Sequence, residues 1–304
     1  MLDYVQYLTN FHLKIAVFLR NMLVQIPETV VEKTLDAQVL GILLASLVDE
    51  RGDAELRECI LRALANLALS DDAKECLVRE HSVIPVFIAA LQDPNNGSTV
   101  KQSACSALQC VATNSHPNKL KLSESGAIAA SVRIINTTPH DPILLESALA
   151  FIKELLLPSG NSYKQEKAGD VAAREFLSES NDGKSMLLSV MAEHLERGAV
   201  QVAACGVIAY LPYDHRHTDT KDQLLADAIV RTLERHSEAV VVQFAAVEAL
   251  LELATHVPLV TNHLIRRKST MEKLLHHAKH VAVNCREDAD DILALLTTPI
   301  GAES

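Results

Sequence analysis

Ala104-Cys105-Ser106-Ala107-Leu108, closing on Ala112, and Ala148-Leu149-Ala150-Phe151-Ile152, closing on Leu156, are one phrase written twice, 44 residues apart. Each has a small or apolar residue, two free positions, a small residue, an apolar residue and an apolar close. Residues three and four apart stack on one face of a helix, so this spacing predicts an amphipathic helix at each occurrence. The phrase stands earlier as Ile60-Leu61-Arg62-Ala63-Leu64 with Ala68, and later as Ala204-Cys205-Gly206-Val207-Ile208 and Ala246-Val247-Glu248-Ala249-Leu250. With Leu64, Leu108, Ile152, Ile208 and Leu250 as markers, the intervals are 44, 44, 56 and 42 residues, and a further 42 reaches Ile292 in another apolar stretch. A recurring period of this size is the mark of a helical repeat array.

A second phrase keeps step with the first. Ser82-Val83-Ile84-Pro85 and Ser125-Gly126-Ala127-Ile128 each open a helix, and Ile84 to Ile128 is again 44 residues. Proline is tolerated in the first turn of a helix, and glycine permits a sharp turn before it. Each repeat therefore reads as a short helix followed by two longer ones. One such unit cannot bury its apolar face alone, so neighbours must stack. The 56-residue interval contains Pro158-Ser159-Gly160-Asn161-Ser162 and a polar run to Asp170, which predicts an inserted loop over 158–170. That loop, with Tyr163, Lys164 and Lys167, reads either as an interaction element or as a spacer. The expected organisation is one array over 1–304. A cap or partial repeat covers 1–52, clear repeats 53–157, the loop 158–170 and degenerate repeats 171–298. Within the last span the helix pair 185–195 and 200–211 keeps the period and lacks the glycine turn.

Composition agrees with helices. Of 304 residues, 48% are hydrophobic but only 4% aromatic, with no tryptophan, so Leu, Ala, Val and Ile carry the burial. Ten glycines and ten prolines are too few for the many tight turns of an all-β chain. The net charge of −11 repels phosphate backbones, and the cluster Arg266-Arg267-Lys268 is expected to complement a helix dipole, so no nucleic acid is expected as a partner. The longest uncharged apolar stretch, 37–48, falls short of the roughly 18 residues of a membrane span. The six cysteines form no C-x-x-C pair, and Cys59, Cys105 and Cys205 read as buried reduced thiols. Asn96-Gly97-Ser98 and Asn136-Thr137-Thr138 match a glycosylation acceptor, but nothing resembles a signal peptide, and a cytoplasmic or nuclear location is expected.

Chemistry finds little support. His215 and His217, between Asp214 and Asp219, have the right residue types for zinc without a recognised spacing. His276 and His280 stand four apart, but no glutamate follows the first, and an exposed polar helix face accounts for them. There is no phosphate loop, dinucleotide fingerprint or nucleophile elbow. No catalytic residue, metal or cofactor is expected.

Residues 71–78, 82–85 and 100–112, repeated through 118–122, 125–128 and 144–156, resemble the armadillo repeat family. The resemblance holds from about Glu55 to Leu157; beyond the loop the chain is equally similar to HEAT repeats. It implies an all-α, right-handed superhelical α-solenoid whose third helices line a concave groove for extended peptides or partner domains. In the import receptors that share this fold, a Trp and an Asn recur four residues apart on the third helix. Carried over, the Trp position falls on Arg62, Ser106, Ala150, Gly206, Glu248 and Asp290. The Asn position falls on Asn66, Cys110, Glu154, Tyr210, Glu252 and Ala294. Only Asn66 agrees, so the chain is not an import receptor of that kind. The groove candidates are Arg62, Asn66, Ser106, Glu154, Tyr210, Glu248, Glu252 and Asp290. Of these, Glu154, Glu248, Glu252 and Asp290 favour a basic partner segment. The expected function is a non-catalytic scaffold or adaptor for a protein partner, as in cytoskeletal, traffic and signalling assemblies. The alternative is a regulator, such as a nucleotide-exchange factor, of a chaperone or small GTPase. Self-association through apolar array ends is a further expectation.

Overall fold

The computed structural model describes residues 37–48, 53–79, 82–158, 168–178, 180–213 and 219–297, and those residues form helices and connections without a strand. The fold is an all-α solenoid. Its contacts divide the chain into two units after Ala172.

In the first unit, α1 (Ala37–Val48) and α2 (Ala54–Leu67) precede two three-helix repeats. The first repeat is α3 (Asp71–Arg79), α4 (Val83–Gln92) and α5 (Ser98–Ala112). The second is α6 (His116–Glu124), α7 (Ala127–Thr137) and α8 (Pro142–Leu156). Helices α2, α5 and α8 pack side by side as a row of third helices, and α1, α4 and α7 form the second-helix row. The markers Leu64, Leu108 and Ile152 are fully buried between the rows, as are Ala104, Ala107 and Ala148, whose small side chains let the helices approach. Burying each such leucine or isoleucine is worth about 1.5–3 kcal/mol, which is why isolated repeats do not suffice and stacked ones do.

The turn before each second helix explains how the phrase repeats. Ser82 (φ 48°) and Gly126 (φ 75°) adopt the left-handed conformation, 44 residues apart. Asp182 (φ 40°) does so 56 residues later, which reproduces the marker intervals. After the loop no glycine holds this position, but the left-handed turn itself persists at Asp182, whose carboxylate accepts the Ser185 backbone N–H. Asp tolerates this conformation because its short polar side chain bonds locally. A Cβ at Gly126 meets nothing within 4 Å, so the backbone alone sets the preference there. Gly126→Ala is expected to lower stability by about 1 kcal/mol, and Ser82→Gly to raise it by about 0.5–1 kcal/mol, both read by denaturant melts.

The second unit continues from α9 (Ala168–Phe176), inside which the division falls. It comprises α10 (Gly183–Glu193), α11 (Gly198–Ala209), α12 (Thr220–Arg235), α13 (Val240–His256), α14 (Pro258–Ile265), α15 (Lys268–Val281), a 3-10 turn at Val283–Cys285 and α16 (Arg286–Leu295). Here α11, α13 and α16 are the third-helix row, with Ile208, Leu250 and Ile292 buried in it. Helices α12 and α13 form a two-helix repeat, since the position one period beyond Asp182 lies inside α12. A three-helix repeat returns at the end, where Pro258 starts α14 after a 113° turn from α13. Gly183 sits where a Cβ would lie 2.3 Å from the buried Phe176 ring, so this close approach requires glycine.

The two units close their helix ends differently. In the second, Gln201 Nε2 donates to the carbonyls of Met191 and His194, and Gln243 Nε2, 42 residues on, donates to those of Leu233 and His236. Cys285, a further 42 along, points its thiol at the Ala278 and Ala282 carbonyls. In the first unit buried lysines join the amides of Asn96 and Asn118, which donate to Ala90 O and Val111 O: Lys74 Nζ donates to Thr113 O at 2.8 Å and Lys119 Nζ to Leu157 O at 3.1 Å. A cation at these last carbonyls also faces the negative end of the helix dipole.

Several sequence expectations meet the structure directly. Cys59, Cys105 and Cys205 are buried, and burial pushes the Cys105 and Cys205 thiols up to about 12. Asn96 is buried, donating to Ala90 O and accepting from Arg57, so this sequon is a structural element and not an accessible acceptor. Ala168, Gly169 and Asp170 belong to the first turn of α9, which shortens the expected 158–170 loop; 159–167 lie outside the described residues, as do 1–36 and the histidines at 215 and 217. No single helix among the described residues is long and apolar enough to cross a membrane.

Candidate functional site: the third-helix face

The third helices spend one face on the core and present the other. In the first unit that face opens a cleft of about 630 Å³ across α2, α5 and α8, in which Arg62, Asn66, Ser106, Cys110 and Ser147 come together. Its lining is mostly amide, hydroxyl and thiol groups. The guanidinium of Arg62 pairs with Glu58 one turn before it, at 3.2 Å, in a partly exposed contact of the kind that contributes little to stability. Amides and hydroxyls spaced along parallel helices are suited to hydrogen-bonding a polypeptide backbone, which carries one donor and one acceptor per residue.

Glu154 stands apart from this cleft. Its carboxylate lies 3.0 Å from Lys119 Nζ, with the two side chains only 13% and 3% exposed. The pair lines a smaller cleft of about 390 Å³ beside Thr113 and Leu157. Its charge is neutralised within the fold.

In the second unit, Tyr210, Glu248 and Glu252 share one face. Tyr210 donates its hydroxyl to Glu248 Oε1 at 3.3 Å, and burial, then the Glu248 charge, push that hydroxyl above its usual range. Glu252 sits 3.4 Å from His256 one turn later, both side chains 43% exposed. On the same helix Val241 and Phe244 are exposed, 65% and 36%. These two were not among the sequence candidates, although the run Val240-Val241-Val242 carries more apolar residues than one buried face can use. Asp290 is engaged by Lys279 of α15.

The remaining charged and histidine clusters serve the fold. Arg267 is at the N-terminus of α15, where a cation does not complement the dipole, and it pairs with Asp227 of α12 at 2.7 Å, alongside His263. Arg266, the first residue of this basic cluster, caps the C-terminus of α14, where a cation does complement the dipole, so the expected role holds there. His276 and His280 are exposed, His277 reaches Glu238 at 3.2 Å, and no three metal-ligating side chains are grouped among the described residues. At the start of α10 and α12, Lys184 bridges Asp219 and the buried Asp222, and desolvation raises the Asp222 carboxyl above its ordinary value.

No protein family and no curated protein matches the chain. Solved structures do. An engineered protein from the Northeast Structural Genomics Consortium superposes with a TM-score of 0.64 at 19% identity, over 82% of this chain and 92% of that one. A second from the same consortium gives 0.54 at 19% identity, over 95% and 75%. A chain from a structure of the interaction between cadherin and beta-catenin, controlled by a conserved phosphorylation switch, gives 0.61 at 21% identity. That match covers 88% of the present chain, which spans little more than half (56%) of the other. At these identities the likeness establishes the fold, one shared with helical-repeat proteins.

Proposed function

We propose that this chain is a non-catalytic, armadillo-type scaffold or adaptor that binds a partner protein along its third-helix face. One observation carries the reading: Arg62, Asn66 and Ser106, on adjacent third helices, line one open polar cleft that the core does not use. A row of side chains at regular spacing suits a partner segment lying across several repeats. The structural likeness to a chain from the cadherin and beta-catenin interaction supports a protein partner. A cytoplasmic setting belongs to the same proposal.

Affinity capture from a native extract tests it with three proteins: wild type, Ser106→Arg and Arg133→Glu. Ser106 is exposed in the cleft, and Arg133 is exposed on the second-row helix α7. A partner identified with wild type is expected to be lost at least tenfold with Ser106→Arg and kept with Arg133→Glu. Equal capture by Ser106→Arg, or loss confined to Arg133→Glu, would remove the cleft from consideration.

A further inference from the structure

We propose that the third-helix face of the second unit docks a partner segment in which an apolar side chain is followed by two basic ones; this rests on the scaffold reading and specifies its partner. The two units differ sharply in charge along this row. Helices α2, α5 and α8 carry four acidic and four basic side chains, a net charge of zero. Helices α11, α13 and α16 carry six acidic and one basic, a net charge of −5 with His256 neutral. Glu287 and Asp288 occupy the first turn of α16, where they complement its dipole, and Asp290 is paired with Lys279. Asp291 stays exposed on α16, while Glu248 and Glu252 are the only acidic or basic side chains on α11 and α13 before His256.

Position on the helix gives the order of contacts. Val241 and Phe244 are three residues apart, Glu248 follows Phe244 by four, and Glu252 follows Glu248 by four, so all four lie along one stripe. At 1.5 Å per residue, the stripe presents an apolar patch, a carboxylate about 6 Å beyond it and a second about 6 Å further. Basic residues two apart in an extended segment, about 6.6 Å, or four apart on a helix, about 6 Å, match that ladder. The Tyr210 hydroxyl holds the Glu248 carboxylate by a hydrogen bond that leaves its charge intact. The Glu252 partner, His256, is a half-exposed neighbour one turn away, a contact weak enough for an incoming lysine or arginine to replace. A second copy of this chain, net −11, is repelled from the same face, as is nucleic acid.

The test is fluorescence anisotropy on the full chain with designed peptides carrying Leu and two Lys at both spacings. Control peptides replace both Lys by Glu, or Leu by Ala. The Leu-Lys-Lys peptide of one spacing is expected to bind, at least tenfold more weakly to Glu248→Gln/Glu252→Gln and several-fold more weakly to Phe244→Ala, with affinity falling as salt rises. Phe244 is exposed, Glu248 and Glu252 are partly exposed and the glutamine changes are close in shape, so melting curves matching wild type certify the fold. Three results would overturn the proposal: no binding by wild type, equal binding by the double glutamine variant, or equal binding of the Glu peptide. If any of these occurs while Ser106→Arg still loses a native partner, this docking site is discarded and the scaffold reading stands. If Ser106→Arg loses none, the scaffold reading falls separately.

Discussion

Lys119→Ala lowers the free energy of unfolding by about 3–5 kcal/mol, the cost expected when one member of a buried ion pair is removed. Lys119 is fully enclosed, bonded at once to the Glu154 carboxylate and to the Leu157 carbonyl at the end of α8. Its removal leaves a nearly buried carboxylate without a counter-ion and an unsatisfied helix end. Replacing both partners with apolar residues of similar volume, Lys119→Met/Glu154→Leu, is expected to recover most of that loss, because no charge is then stranded. Denaturant unfolding of the two variants measures this. A loss below about 1 kcal/mol for Lys119→Ala would show that Glu154 keeps its solvation without the lysine, and would return it to the binding face.

Gln201→Ala has an effect of similar size in the second unit, about 3 kcal/mol. The side chain is fully buried, donates to Met191 O and His194 O, and accepts from the Thr232 hydroxyl at 2.7 Å. Alanine leaves two terminal carbonyls of α10 without that donor and opens a cavity; each unsatisfied buried group costs about 1–3 kcal/mol. Thr232 keeps its bond to Ala228 O, which limits the total. Gln243→Ala should behave alike, whereas Cys285→Ala should cost about 1 kcal/mol or less, since a thiol is a weak donor. Unfolding followed by a probe in the second unit checks the order of the three. Equal effects for Cys285→Ala and Gln201→Ala would mean that packing, and not the capping bond, sets the cost.

These two sites mark where pattern reading stops. The fully buried markers from Leu64 to Ile292 were legible because burial imposes helical periodicity on residue type, and a period survives substitution of one aliphatic by another. The left-handed turn was legible at Gly126 but not at Asp182, because glycine announces that conformation and aspartate does not. The lysine that neutralises Glu154 lies 35 residues before it, on a helix whose register was read only for its apolar face, so Glu154 was placed with the groove. The repeated Val200-Gln201-Val202-Ala203-Ala204 and Val242-Gln243-Phe244-Ala245-Ala246 did carry a signal for the glutamine caps. A polar residue recurring at one period inside an apolar face marks a buried hydrogen bond. On the third-helix face, register alone placed Arg62, Asn66 and Ser106 along one cleft, while the exposed Val241 and Phe244 needed the packing of α13 to separate them from the core.

Site-specific photo-crosslinking in the native source addresses the scaffold reading most directly, with the photoreactive residue placed in turn at Ser106 and Val241 on the third helices and at Arg133 and Arg231 on the second. The expected result is one partner protein crosslinked from third-helix positions and absent from second-helix ones. Crosslinks confined to Arg133 and Arg231, or equal from all four, would contradict a working surface on the third-helix face.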